Sequence, residues 1–323
     1  MSNFSDPLLA SIASRLDDAD SSIRRVAVMD LVDSAEVEAV ELLIKALSDT
    51  DESVRMEAAK VIDEFEPRDM MDALVESLTS SDQNVRNAAA NALADLKDSN
   101  AAPALIKSLQ EDDPFVLSSI LRSLKQLRIK DARPEALRLL SHADTSVRRE
   151  AVSVLGYLQE ADNLPQLISI AANDEDAEVR RTAIGALVYA DGSQVAKALV
   201  GGLSDENWQV RVEAAKGLGR LNVESAIESL VTATSDSMWQ VQEKAAEALG
   251  KIGSIQAVSA LGSCLENPIG NLRKAAVAAL GEIAHPDCMP LVDIALNDND
   301  PDVRKLARWA KDQIEASISA TGE

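Results

Sequence analysis

The sequence predicts an all-α chain, an α-α superhelix of about ten two-helix repeats forming one domain over residues 1–323. Three observations carry that prediction. A short apolar anchor, most often Val-Arg, recurs at Ile23, Val54, Val85, Val116, Val147, Val179, Val210, Val241, Leu272 and Val303. Successive anchors stand 31 residues apart, except for a 32-residue step between Val147 and Val179. Around each anchor the apolar positions fall at helical spacing in two separate sets. Each period therefore holds two helices, which bury their apolar faces against neighbouring repeats.

The first helix of a repeat precedes the anchor. Its apolar stripe lies 15, 11 and 7 residues upstream, as in Ala39, Leu43 and Leu47 or in Val195, Leu199 and Leu203. The turn that follows ends on an aspartate three residues before the anchor in seven repeats: Asp20, Asp51, Asp82, Asp113, Asp144, Asp176 and Asp300. A carboxylate at that point can accept the orphan amide protons of the next helix, so these residues are expected N-caps. The second helix carries the anchor and then alanine four positions on, from Ala27 to Ala307, with Ile120 as the one exception. Leucine or isoleucine follows eight positions after the anchor, from Leu31 and Ile62 to Leu280, and Lys311 takes that place in the last repeat. A small residue in mid-stripe lets adjacent helices approach closely. The extra residue of the long step is expected in a loop at Gln159–Asn163, because loops absorb insertions at little cost. Asp6-Pro7 reads as a helix start, with proline in the first helical position.

The pattern Asp-x4-Val-Arg-x2-Ala-x3-Leu is fullest in DENWQVRVEAAKGLGRL (205–221) and SDSMWQVQEKAAEALGKI (235–252). It resembles HEAT repeats, in particular the HEAT-like repeats of phycobilisome (bilin) lyases, over roughly residues 6–315. The resemblance implies a solenoid in which the aspartate five residues before the anchor and the arginine after it pair as a ladder along the stack. Asp18, Asp49, Asp174, Asp205, Asp236 and Asp298 supply the acidic half, while Leu117 and Gln242 interrupt the basic half. It also implies that second helices line a concave groove, with the residues two and six positions after each anchor facing it.

Composition narrows the function. The net charge is −22, and residues 1–114 carry −15 of it. Phosphate backbones are repelled by such a chain, so general nucleic-acid binding is not expected. Between Arg122 and Arg149 the sign reverses, and basic residues outnumber acidic ones. No apolar run is long enough for a membrane span, no signal-like start is present, and two lone cysteines make no disulfide framework. A cytoplasmic location is the expectation. The only histidines, His142 and His285, lie more than four repeats apart, and no phosphate-binding loop or nucleophile motif occurs. The His-Glu iron pairs of lysine-modifying HEAT-repeat hydroxylases are missing as well.

The expected role is a non-catalytic protein-binding scaffold or adaptor, whose client presents an acidic or anionic segment. Candidate contacts are Arg122, Arg149, Arg181 and Lys216, a basic column on the second helices, together with Trp208 and Trp239. An alternative is a lyase-like or chaperone-like factor that loads a bilin or an iron–sulfur cluster onto a client. Cys264, His285 and Cys288 are the soft donors that reading would use, though Cys288 falls on a core column where a thiol packs as a small hydrophobe.

Overall fold

A computed structural model of the protein describes residues 6–34, 39–61, 65, 67–95 and 99–321, and these form helices and short connections without a strand. The chain divides into two compact units, Met1–Leu158 and Gln159–Glu323. The first pairs α1 (Pro7–Arg15) with α2 (Ser21–Met29), α3 (Ala39–Leu47) with α4 (Glu52–Val61), and α5 (Pro67–Ser77) with α6 (Gln83–Asp95). It continues with α7 (Ala102–Ser108) and α8 (Pro114–Leu127), then α9 (Arg133–Leu139) and α10 (Thr145–Leu158). The second unit pairs α11 (Leu164–Asn173) with α12 (Ala177–Leu187), α13 (Gly192–Gly202) with α14 (Trp208–Arg220), and α15 (Ile227–Ala233) with α16 (Trp239–Ile252). Its last pairs are α17 (Val258–Leu265) with α18 (Gly270–Ile283) and α19 (Met289–Ala295) with α20 (Pro301–Thr321). The fold class is all-α, an α-α superhelix of helical repeats.

Local chemistry sets where these helices begin. All seven expected cap aspartates accept the amide proton of the residue two positions on, each at 2.8 Å. Losing one such cap costs about 1 kcal/mol. Asp6 does the same for Leu8 at 2.8 Å, with Pro7 opening α1.

Packing follows the columns. The alanines four residues after each anchor are fully buried, as is Ile120, and Leu93, Leu124, Leu187, Leu218, Leu249 and Leu280 line the same stripe. Ile62 lies outside the described residues. Lys311 leaves the stripe and reaches Asp293 at 3.1 Å.

Two further register positions explain how second helices end and approach one another. Twelve residues after the anchor, Arg128, Gln159, Asn222, Gly253 and Ala284 adopt left-handed backbone, with φ of 52°, 54°, 52°, 74° and 49°. This conformation turns the chain out of the helix, and only glycine adopts it without steric cost. Nine residues after the anchor stand Gly219, Gly250 and Gly281. A Cβ on these would lie 2.7, 2.6 and 2.9 Å from the Cα atoms of Ala248, Ala279 and Ala310 on the next second helix. Glycine is the residue that permits so close a backbone approach.

The extra residue of the 32-residue step is not in the loop at Gln159–Asn163. That segment repeats the layout of residues 128–132, a left-handed residue followed by a short 3₁₀ turn (Lys130–Ala132 in one case, Ala161–Asn163 in the other). The addition lies in α11, which runs ten residues where α9 runs seven. A first helix can lengthen at its end without disturbing the stripe it buries.

Candidate partner-binding surface

Arginines that follow an anchor serve the stack. Arg24, Arg180, Arg211 and Arg273 each reach back to their own interhelical loop and forward to the next repeat. Arg211 donates through Nη1 to the carbonyl oxygens of Asp205 and Glu206, at 2.8 and 3.2 Å. Its Nε and Nη2 take both carboxylate oxygens of Asp236, at 2.7 and 2.8 Å. Arg24 with Asp49, Arg180 with Asp205 and Arg273 with Asp298 repeat this two-pronged geometry. Such forks are among the stronger hydrogen bonds of proteins, and these are largely withdrawn from water. The Arg24 hydrogen bond holds the Asp49 carboxyl below its usual range, and the Arg273 hydrogen bond does the same for Asp298. Burial opposes the charge on Asp205 and Asp236, but their arginines override it and both carboxyls also lie low.

The ladder varies instead of simply stopping. Gln242 keeps both contacts in neutral form: it donates to the Asp236 carbonyl and accepts from Asn267 Nδ2 at 3.4 Å. Arg86 meets Asp113, two residues beyond the usual acceptor, with Nη2 at 3.1 Å from each oxygen, and its guanidinium lies 4.6 Å over the Phe115 ring. Leu117 makes no rung and is buried. His142 occupies the acidic position of the next repeat and fills the loop role, accepting the Asp144 amide proton at 3.0 Å.

The four expected contact cations project from α8, α10, α12 and α14, and each is half-buried or exposed. Three have acidic company on their own helix. Arg149 lies 3.6 Å from Glu150, Arg181 is forked onto Glu178, and Lys216 lies 3.1 Å from Glu213. Arg122 has neither an ion pair nor a hydrogen bond among the described residues. Trp208 and Trp239 open α14 and α16 and are half-buried there.

Around Arg122 lies a constellation that the repeat columns do not reveal. One turn further along α8, Lys125 donates to Glu150 of α10 at 3.2 Å and sits 5.8 Å from the centroid of the Tyr157 ring. Arg128 lies 6.0 Å from the same centroid. Glu150 is almost fully enclosed, whereas Tyr157 is 41 % exposed. In the second unit Arg220 lies 5.2 Å over Tyr189. Both tyrosines stand ten residues after an anchor, a signal hidden by the few aromatics in the chain.

The soft donors are placed as follows. Cys264 and Cys288 are free, buried thiols; burial pushes Cys264 up to about 11 and also raises Cys288, so both hold their protons at neutral pH. His285 accepts the Asp287 amide proton through Nδ1 at 3.2 Å, which makes it a cap for the following turn. Among the described residues no three His, Cys, Asp or Glu side chains converge as a metal-binding group. None of the described helices is long and apolar enough to cross a membrane.

With this geometry in place, comparison with known proteins is informative. The pattern described as HEAT repeats matches seven overlapping segments, residues 9–69, 54–125, 71–140, 116–188, 133–205, 164–247 and 195–269. No curated protein matches the chain. Among solved structures, an engineered protein is similar with 22% identity and a TM-score of 0.50, covering 96% of this chain and 99% of its own. Kap95 in its complex with Nup1 is similar with 16% identity and a TM-score of 0.60, covering 97% of this chain and 52% of its own. The chain thus spans about half the length of Kap95. The Escherichia coli protein YibA is similar with 18% identity and a TM-score of 0.55, covering 88% of this chain and 98% of its own. At these identities the likeness is one of fold.

Proposed function

Because the chain belongs to the HEAT-repeat family, we propose that it is a non-catalytic protein-binding scaffold or adaptor that uses the solvent-facing sides of its second helices. The observation that carries this reading is the division of labour among its arginines. Arg24, Arg180, Arg211 and Arg273, after their anchors, are consumed by the ladder, while Arg122, on the same kind of helix, is left without an acceptor among the described residues. A guanidinium in that condition suits a carboxylate or another anionic group from outside. The partner is accordingly a protein with an acidic or anionic segment. Long phosphate polymers are disfavoured by a net charge of −22. Kap95, which is similar in fold, forms a complex with Nup1, and this supports partner binding as the use of this fold. The buried, protonated thiols lend no support to cofactor loading, and the reading requires no cofactor.

The test is affinity capture with the full chain, repeated after Arg122 and Arg149 are changed to Glu. A specific protein recovered by the parent chain and lost by the variant is the expected result. Recovery of the same proteins in the same amounts would remove these side chains from the interface.

A further inference from the structure

The geometry points to the C-terminal end of α8 and the last turns of α10 as the seat for a carboxylate-rich peptide segment of the partner, with Arg122 and Arg128 as its anchors and the Tyr157 hydroxyl as a third donor. This rests on the scaffold reading above and gives it a location and a partner chemistry.

Arg122, Lys125, Arg128 and Arg149 gather on α8, its C-cap and α10, with one enclosed carboxylate, Glu150, among them. Glu150 is shared by Lys125 at 3.2 Å and Arg149 at 3.6 Å, so it neutralises those two cations in part and leaves Arg122 and Arg128 untouched. The Tyr157 hydroxyl has no hydrogen-bond partner among the described residues, although the side chain sits beside two cations. That surplus of positive charge and donors stands in a strongly acidic chain. Its reach is therefore limited to about one Debye length, roughly 8–10 Å, which favours a short segment over a long polyanion.

Two features select carboxylates on a peptide over a nucleic acid. Sequence-tolerant binding of single strands depends on aromatic faces open to bases. The Tyr157 ring instead has Lys125 and Arg128 within 6.0 Å of its centroid. Further, the guanidinium fork matches the two oxygens of Asp or Glu, the geometry this protein already uses between Arg211 and Asp236.

The experiment is fluorescence anisotropy of a fluorescein-labelled glutamate homopolymer titrated with the full chain at low and at physiological salt. The parent chain should bind, more weakly at the higher salt. Arg122→Gln with Arg128→Gln should weaken binding about tenfold or more, and Tyr157→Phe about twofold to threefold. Arg181→Gln with Lys216→Gln should stay within about twofold of the parent, because their charges are balanced by carboxylates on their own helices. Thermal melting of each variant separates loss of the patch from loss of the fold. The proposal is overturned by any of three results: parent-like binding by the Arg122/Arg128 variant, equal weakening by the Arg181/Lys216 variant, or tighter binding of a single-stranded oligonucleotide of equal charge. If the Arg122/Arg128 variant still captures the cellular partner, this seat is wrong and the scaffold reading stands. A parent chain that binds the homopolymer yet captures no protein contradicts the scaffold reading alone.

Discussion

The two compact units share one register yet keep it by different means. Residues 159–323 contain twelve of the thirteen glycines, and three of these sit nine residues after an anchor, against an alanine of the next second helix. The same unit holds four consecutive rungs, Arg180–Asp205, Arg211–Asp236, Gln242–Asn267 and Arg273–Asp298. In residues 1–158 the position nine after the anchor is Val32, Asp63, Ala94 or Lys125 in the first four repeats, with glycine only at Gly156 in the fifth, and the rungs are uneven. Arg24 pairs with Asp49, Arg55 reaches only the Asp49 and Thr50 carbonyls among the described residues, Arg86 is displaced onto Asp113, and Leu117 makes none. A repeat can thus surrender a structural charge and use its surface otherwise. The fourth repeat, which gives up its rung at Leu117, carries outer arginines, Arg122 and Arg128, that have no acceptor among the described residues.

The comparison breaks most readily at the glycine seam. Gly250→Val should cost about 3 kcal/mol, since its Cβ would fall 2.6 Å from the Ala279 Cα and overpack a closed contact. Ala94→Val, at the same register position in the other unit, should cost less than about 1 kcal/mol. Denaturant midpoints of the two variants check this. Equal losses would show that the seam does not distinguish the units.

Acid sharpens the contrast between charged and neutral rungs. Asp49, Asp205, Asp236 and Asp298 have carboxyls held below their usual range in the folded chain. Their contribution is therefore complete above the unfolded value of about 3.9 and is lost as pH falls through the lower folded values. A chain carrying Arg211→Gln with Asp236→Asn, copying the Gln242–Asn267 rung, should lose less stability between neutral and acidic pH than the parent. Parallel pH curves for the two would contradict the ladder as a source of acid sensitivity.

The smallest effect concerns helix ends. Ala284→Gly should stabilise by about 0.5–1 kcal/mol, and Gly253→Ala should destabilise by a similar amount, because both positions need left-handed backbone. Opposite shifts in melting temperature are the expected outcome.

Much of the fold was legible in the sequence because its period is strict. The cap aspartates, the alanine column and the leucine stripe each report one local force, and each recurs often enough to read. The position of the extra residue was not legible, since α11 lengthens without changing its buried stripe. Gln242 read as a break in the ladder, although Asn267 had changed with it, and that paired change was the signal of a neutral rung. Among the candidate contacts, Arg122 could be singled out only after Glu150, Glu178 and Glu213 were seen beside the other cations. Lys125, Arg128 and Tyr157 meet across two helices at positions that no column marks.

Register position decides whether an arginine holds the stack or faces a partner. The most direct measurement is the melting temperature of two matched variants, Arg211→Gln and Arg122→Gln. Arg211→Gln strips the cation from Asp236 and should lower melting by about 4 °C or more, whereas Arg122→Gln should stay within about 1 °C of the parent. Equal shifts in the two variants would contradict the claim.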